Sequence, residues 1–109
     1  VTVTHDKSIE EVAKLMTEKG VNHIPIVKNG TLDGIVTSWD VAKAVARGKR
    51  RLDDVAVKSV VTAKPAETLG IVSERLKKHE ISALPVVDGR GSVLGIITAE
   101  DVSKFVQGS

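Results

Sequence analysis

Apolar residues in this chain follow two alternating rhythms. Short stretches dense in Val, Ile and Leu, or alternating with polar residues, fall at 1–3, 23–27, 32–37, 60–63, 84–87 and 93–97. That pattern predicts strands. Between them apolar residues recur at three- and four-residue steps: Ile9, Val12, Ala13 and Met16; Val41, Ala44 and Val45; Leu69, Val72 and Leu76; Val102, Phe105 and Val106. Each set predicts a helix with one face turned to a core. The punctuation agrees. Ser8 and Glu11 form a capping box before the first helix, and Gly20 ends it in the left-handed conformation that glycine takes cheaply. Asn29-Gly30 is a tight-turn signal between two strands. Gly48 closes the second helix, Thr68 caps the third, and 88–91 joins the second pair of strands. Residues 52–57 read as a helical turn or short helix that introduces the second half. Each half therefore runs strand–helix–strand–strand–helix, an α/β arrangement.

The halves are copies. Residues 21–41 read VNHIPIVKNGTLDGIVTSWDV and residues 81–102 read ISALPVVDGRGSVLGIITAEDV. Val12 and Pro25 stand sixty positions before Val72 and Pro85. After one extra residue in the second turn, Gly34, Thr37 and Asp40 stand sixty-one before Gly95, Thr98 and Asp101. A unit this small cannot bury its apolar face alone, so the copies are expected to pack together with pseudo-two-fold symmetry, leaving ligand clefts between them. The expected division is a first repeat at 1–48, a basic linker and lead-in turn at 49–59, and a second repeat at 60–109. Nothing before the first copy matches 52–57, so the chain reads as a piece of a longer protein whose first repeat lacks its leading element.

Composition narrows the function. The 109 residues suit one domain or two halves sharing a core. Trp39 and Phe105 are the aromatic residues, and cysteine is absent. Disulfide and thiol chemistry are thereby excluded, and a reducing, cytoplasmic compartment fits. No apolar run nears the roughly 18 residues of a membrane span, and no signal peptide is visible. The net charge is +2, with much of the basic excess in Arg47, Lys49, Arg50 and Arg51. That cluster is either a solvated linker or an anion or nucleic-acid patch. The lack of interleaved aromatics weighs against nucleic acid. No nucleophile–base set, Walker A motif or GxGxxG fingerprint is present, and His5, His23 and His79 lack metal-ligand spacing. The chain does not read as an enzyme.

The repeated ending Gly-x-x-Thr-x-x-Asp puts a threonine and a carboxylate at a helix entrance. A purely structural role is available, since Thr caps the helix and Asp sits at its positive end. A binding role uses the same geometry: an ionised carboxylate only accepts hydrogen bonds and can receive two from a ribose diol. Free N–H groups at the helix start can meet phosphate oxygens.

With its two proline-bearing strands, two hairpins and two Thr-x-x-Asp endings in register, the chain resembles a tandem pair of cystathionine β-synthase (CBS) domains, a Bateman module. The resemblance covers essentially the whole sequence. The wording of GIVTSWD and VNHIPIV is similar to archaeal pairs linked to sulfur-amino-acid metabolism. The resemblance implies a regulatory sensor of AMP, ADP, ATP, S-adenosylmethionine or methylthioadenosine that dimerises and acts on an output domain outside this chain. It implies that Asp40 with Thr37, and Asp101 with Thr98, hold ribose or phosphate. It places the adenine readers in the main chain of Asn22, His23 and Ile24, and of Ser82, Ala83 and Leu84. The side chains of Ile24 and Leu84 read equally as core. Thr2 and Thr62 match positions near the ligand, or are ordinary strand threonines. His79 and Lys64 are candidate phosphate contacts, or exposed surface residues. Pro25 and Pro85 fix the backbone beside the slot. Trp39 covers a ligand, meets a partner or packs on its own chain. Because Asn22-His23 faces Ser82-Ala83 in the alignment, and Trp39 faces Glu100, the two sites are expected to be unequal. The alternatives are a ligand-free dimerisation module and a nucleic-acid binder using 47–51.

Overall fold

The computed structural model describes residues 1–108, with side chains for residues 1–104. The chain forms two compact units, Val1–Val60 and Val61–Ser109. In the first, strand β1 (Val3–Thr4) leads to helix α1 (Ile9–Lys19), the hairpin of β2 (His23–Lys28) and β3 (Thr31–Thr37), and helix α2 (Ser38–Ala46). The strands form one sheet in the order β1-β2-β3. β1 lies parallel to β2 with Val3 opposite Ile26, and β2 and β3 are antiparallel with a bulge after Ile26. The strand expected at 1–3 thus begins at its last residue and runs on to Thr4.

Local signals built these elements as predicted. The Ser8 hydroxyl accepts the Glu11 N–H while the Glu11 carboxylate accepts the Ser8 N–H. Gly20 takes φ 66°. Asn29 and Gly30 take φ 53° and 80°, the two positive values a type I′ turn requires. Ile9, Val12 and Met16 pack with Ile24, Ile26, Val36, Val41 and Ala44 into one core. Val45 departs from expectation and is 70% exposed. Val41 and Ala44 already define the inward stripe, and the next residue turns about 100° away from it. Gly48 closes α2 at φ 69°, with the Lys49 N–H donating to the Ala44 carbonyl (2.8 Å) and the Gly48 N–H to that of Val45 (3.2 Å).

The segment read as a linker and lead-in lies against the first unit. The Ile9 N–H donates to the Arg50 carbonyl at 3.0 Å. A 3-10 turn at Leu52–Asp54 buries Leu52 in the first core. Ile35 and Val57 exchange two backbone hydrogen bonds of 3.0 Å each. Lys58 bridges Asp33 (2.6 Å) and Asp53 (2.9 Å). A Cβ on Gly34 would come within 2.8 Å of the Val57 carbonyl oxygen, so this close approach requires glycine.

The second unit contains helix α3 (Leu69–Lys78), the antiparallel strands β4 (Ala83–Val87) and β5 (Val93–Thr98), and helix α4 (Ala99–Gly108). Thr68 caps α3. Ala63, Val72, Leu76, Leu84 and Val102 form its core, with Leu69 packed against them. The strand expected at 60–63 is reduced to one parallel bridge between Ala63 and Val86. The Thr62 carbonyl, instead of joining a ladder, accepts a hydrogen bond from the Arg75 guanidinium at 2.8 Å. α3 ends at His79, and Glu80 holds the left-handed position at φ 53° that Gly20 fills in the first repeat. In the β4–β5 connection the Asp88 carboxylate accepts from the N–H groups of Arg90 and Ser92. The inward positions expected for Phe105 and Val106 lie outside the described side chains.

Candidate ligand site

Each unit repeats one local construction at a strand-to-helix junction. In the first, Thr37 ends β3 with extended backbone and caps α2. Its hydroxyl accepts the Asp40 N–H at 3.1 Å and donates to Asp40 Oδ2 at 2.9 Å. The Thr37 N–H also donates to Oδ2 at 2.9 Å. The Ser38 N–H donates to the Asn22 carbonyl at 2.9 Å, and His23 stands opposite Thr37 in the hairpin. Thr37, Asp40 and the main chain of Asn22, His23 and Ile24 are therefore gathered at one end of the sheet. Ile24 is fully buried, so its side chain belongs to the core. His23 is half-buried, and burial pushes its imidazole below the usual 6.5, opposed by the charge of Asp40.

The second unit reproduces the arrangement. The Thr98 N–H donates to Asp101 Oδ2 and the Asp101 N–H to the Thr98 hydroxyl, both at 3.0 Å. The Ala99 N–H donates to the Ser82 carbonyl at 2.7 Å, and Ala83 stands opposite Thr98. Leu84 is fully buried. The Thr98 N–H, then the Thr98 hydroxyl contact, hold the Asp101 carboxyl below its ordinary range.

The two carboxylates differ in access. Asp40 is 5% exposed and lies 3.4 Å from the Lys43 ammonium, which also stands 5.8 Å over the Trp39 ring. Asp101 is exposed. The lysine equivalent to Lys43 is Lys104, and it pairs with Glu100 at 3.3 Å. Glu100 occupies the position of Trp39 and takes the ion pair with this lysine, whose charge still reaches Asp101. Trp39 itself is 68% exposed, which excludes burial against its own chain.

The remaining candidates are less tightly gathered. Thr2 is exposed and directly precedes β1. Thr62 is half-buried and precedes the bridging Ala63, so each threonine enters beside the proline of its hairpin. His79 is exposed at the end of α3 and Lys64 is exposed. Neither side chain hydrogen-bonds to the gathered groups among the described residues. Sequence reasoning missed the element that holds Thr62 in place. Glu67 receives a two-pronged bond from Arg75 (2.9 and 2.6 Å) and the Lys64 N–H (2.8 Å). Arg75, followed by that N–H, holds the Glu67 carboxyl down to about 2. The available signal was Glu67 directly before the Thr68 cap. Among the described residues no group of three or more His, Asp or Glu is placed to hold a metal, and no helix is long and apolar enough to cross a membrane.

Each junction offers a carboxylate that only accepts hydrogen bonds, a hydroxyl, and main-chain groups at a strand start. That set can bind a vicinal diol and read a flat heterocycle by its edge.

The CBS domain model matches residues 1–47 and again 52–108. The chain is 42% identical over 106 residues to a homoserine O-acetyltransferase of Methanococcoides burtonii, covering 96% of this chain but 22% of that protein. It is 40% identical over 109 residues to the L-aspartate semialdehyde sulfurtransferase of Methanocaldococcus jannaschii, covering 99% of this chain and 21% of that protein. The chain thus spans about a fifth of these relatives' length. Among solved structures, the CBS domain pair of protein MJ0100, crystallised with 5′-methylthioadenosine and S-adenosyl-L-methionine, matches with a TM-score of 0.92 and 40% identity. That match covers 98% of this chain and 88% of the other. With both repeats matched and the same helix–strand–strand–helix order in each unit, the chain belongs to the CBS-domain family as a tandem pair, a regulatory module and not a catalytic domain.

Proposed function

We propose that this pair senses an adenosine-containing ligand, with S-adenosylmethionine and methylthioadenosine as the leading compounds. The observation that carries this is the exposed Asp101, oriented by Thr98 beside the main chain of Ser82. Asp101 accepts the ribose hydroxyls, Thr98 supports the ribose, and the main chain from Ser82 to Leu84 reads the base. The likeness to the MJ0100 pair supports the ligand class. Asp40, covered and paired with Lys43, binds more weakly or serves mainly as a helix cap. Binding shifts the population between conformations of the module, with a coupling typically of about 1–3 kcal/mol. A fused or partner domain reads the shift. The length of the relatives supports an output domain outside this chain. The exposed Trp39 and Val45 on α2 support self-association into a dimer.

Calorimetric titration with both compounds tests the site. Asp101→Ala abolishes the tighter binding event, while the loss of its part in the capping box costs about 0.5–2 kcal/mol of stability. Asp40→Ala leaves that event in place. Identical titrations for wild type and Asp101→Ala would remove Asp101 from the site. In a melting assay, ligand at about 100 times its Kd adds about 2.7 kcal/mol to stability. A ligand-free module shows no shift.

A further inference from the structure

A cavity of about 290 Å³ opens in the first unit, lined by the segments His5, Asp6, Lys7, Ser8 and Arg50, Arg51, Leu52, Asp53. It lies away from the Asp40 junction. The His5 N–H donates to the Val27 carbonyl, and Val27 is four residues along β2 from His23, about 13 Å at the rise of a strand. The basic cluster of 47–51, unused by the adenosine reading, thus contributes its last two arginines to a walled site.

The charges of the wall are unevenly matched. Asp53 is held by Lys58 at 2.9 Å, Asp6 accepts the Thr4 hydroxyl, and Lys7 faces Glu11 at 3.7 Å. Arg50 and Arg51 make no side-chain hydrogen bond or salt bridge among the described residues. Their backbones are fixed, since the Arg50 carbonyl accepts the Ile9 N–H and Arg51 bridges Ser8. At the entrance of α1 the Ser8 and Glu11 N–H groups are taken up by the capping box and the Ile9 N–H by the Arg50 carbonyl. The charges of Arg51 and His5 reach Asp53, and that of His5 reaches Asp6, which leaves two guanidinium groups on a held backbone with no direct carboxylate partner, and His5 in the same lining. Guanidinium forks match phosphate oxygens in pairs. The volume lies at the small end of ligand pockets and has room for a compact multivalent phosphate.

We propose that this cavity is a second, anion-binding site of the module, which takes a compact polyphosphate through Arg50 and Arg51 with His5 as an auxiliary donor. It does not depend on the adenosine reading. The probe is pyrophosphate, followed by amide chemical shifts at constant ionic strength. The expected result is saturable movement of the amides at 5–8 and 50–53, retained in Asp40→Ala and Asp101→Ala. Arg50→Gln with Arg51→Gln weakens it about tenfold or more, while Arg50→Lys alone weakens it less. Amide spectra of the double variant that otherwise overlay the wild type confirm an intact fold. Three results overturn the proposal: no saturation, equal affinity in the double variant, or movement centred on Thr37 or Thr98. A response to an oligonucleotide but none to pyrophosphate overturns it in favour of a nucleic-acid surface.

Discussion

Asp40 and Asp101 show how one neighbouring residue sets the character of a carboxylate. Both close a capping box with the preceding threonine, and this was legible because every partner lies within three residues. The difference between them was legible only as a substitution, Trp39 against Glu100. The lysine that follows goes to the aspartate in one repeat and to the glutamate in the other. That is a competition among side chains on a folded helix. A similar local difference separates Gly20 from Glu80, which hold the same left-handed position. An L-residue there costs about 1–2 kcal/mol, part of which glycine returns as unfolded-chain entropy of about 0.5–1 kcal/mol. Glu80→Gly is therefore expected to raise stability by about 0.5–1 kcal/mol, measured as a higher urea midpoint at unchanged slope. A lower midpoint would show that the Glu80 side chain contributes more than its backbone costs.

At the scale of elements, helices and hairpins followed their apolar period and turn residues, while the first strand of each repeat did not. These strands depend on distant partners: Val3 on Ile26, and Ala63 on Val86 with Arg75 occupying the Thr62 carbonyl. No local pattern reports such pairing. The glycines of the two returning strands likewise look equivalent in sequence and are not. Gly34→Ala forces a methyl against the Val57 carbonyl and is expected to cost about 1–3 kcal/mol. A methyl on Gly95 would meet nothing within 4 Å among the described residues, so Gly95→Ala stays within about 0.5 kcal/mol. Equal losses from both, by chemical denaturation, would contradict this asymmetry. The Glu67–Arg75 pair sets a pH response. Because the native carboxyl is lowered from 4.5 to about 2, its contribution is complete above the unfolded value and is lost as pH falls from there through about 2. Glu67→Gln should flatten the stability–pH curve in that window. An unchanged acid limb would show that the pair does not stabilise the fold.

For the molecule as a whole, the duplication and the family were readable because they repeat across about sixty residues. The two threonine–aspartate junctions were readable for the same reason. What periodicity could not show is where a compact unit stops. The second family match begins at residue 52, yet Leu52 fills the first core and Val57 pairs with Ile35. Neighbours in the alignment and neighbours in the core are different sets. Anyone isolating the first half should cut after Val60 and not after Gly48. Residues 1–60 should give dispersed amide spectra, whereas residues 1–48 should lose about 2–5 kcal/mol with Leu52 alone and unfold; a stable shorter fragment would show that the seam follows the duplication after all. The ancestral unit thus donated its opening turn to its twin, and the halves can no longer be exchanged like identical bricks.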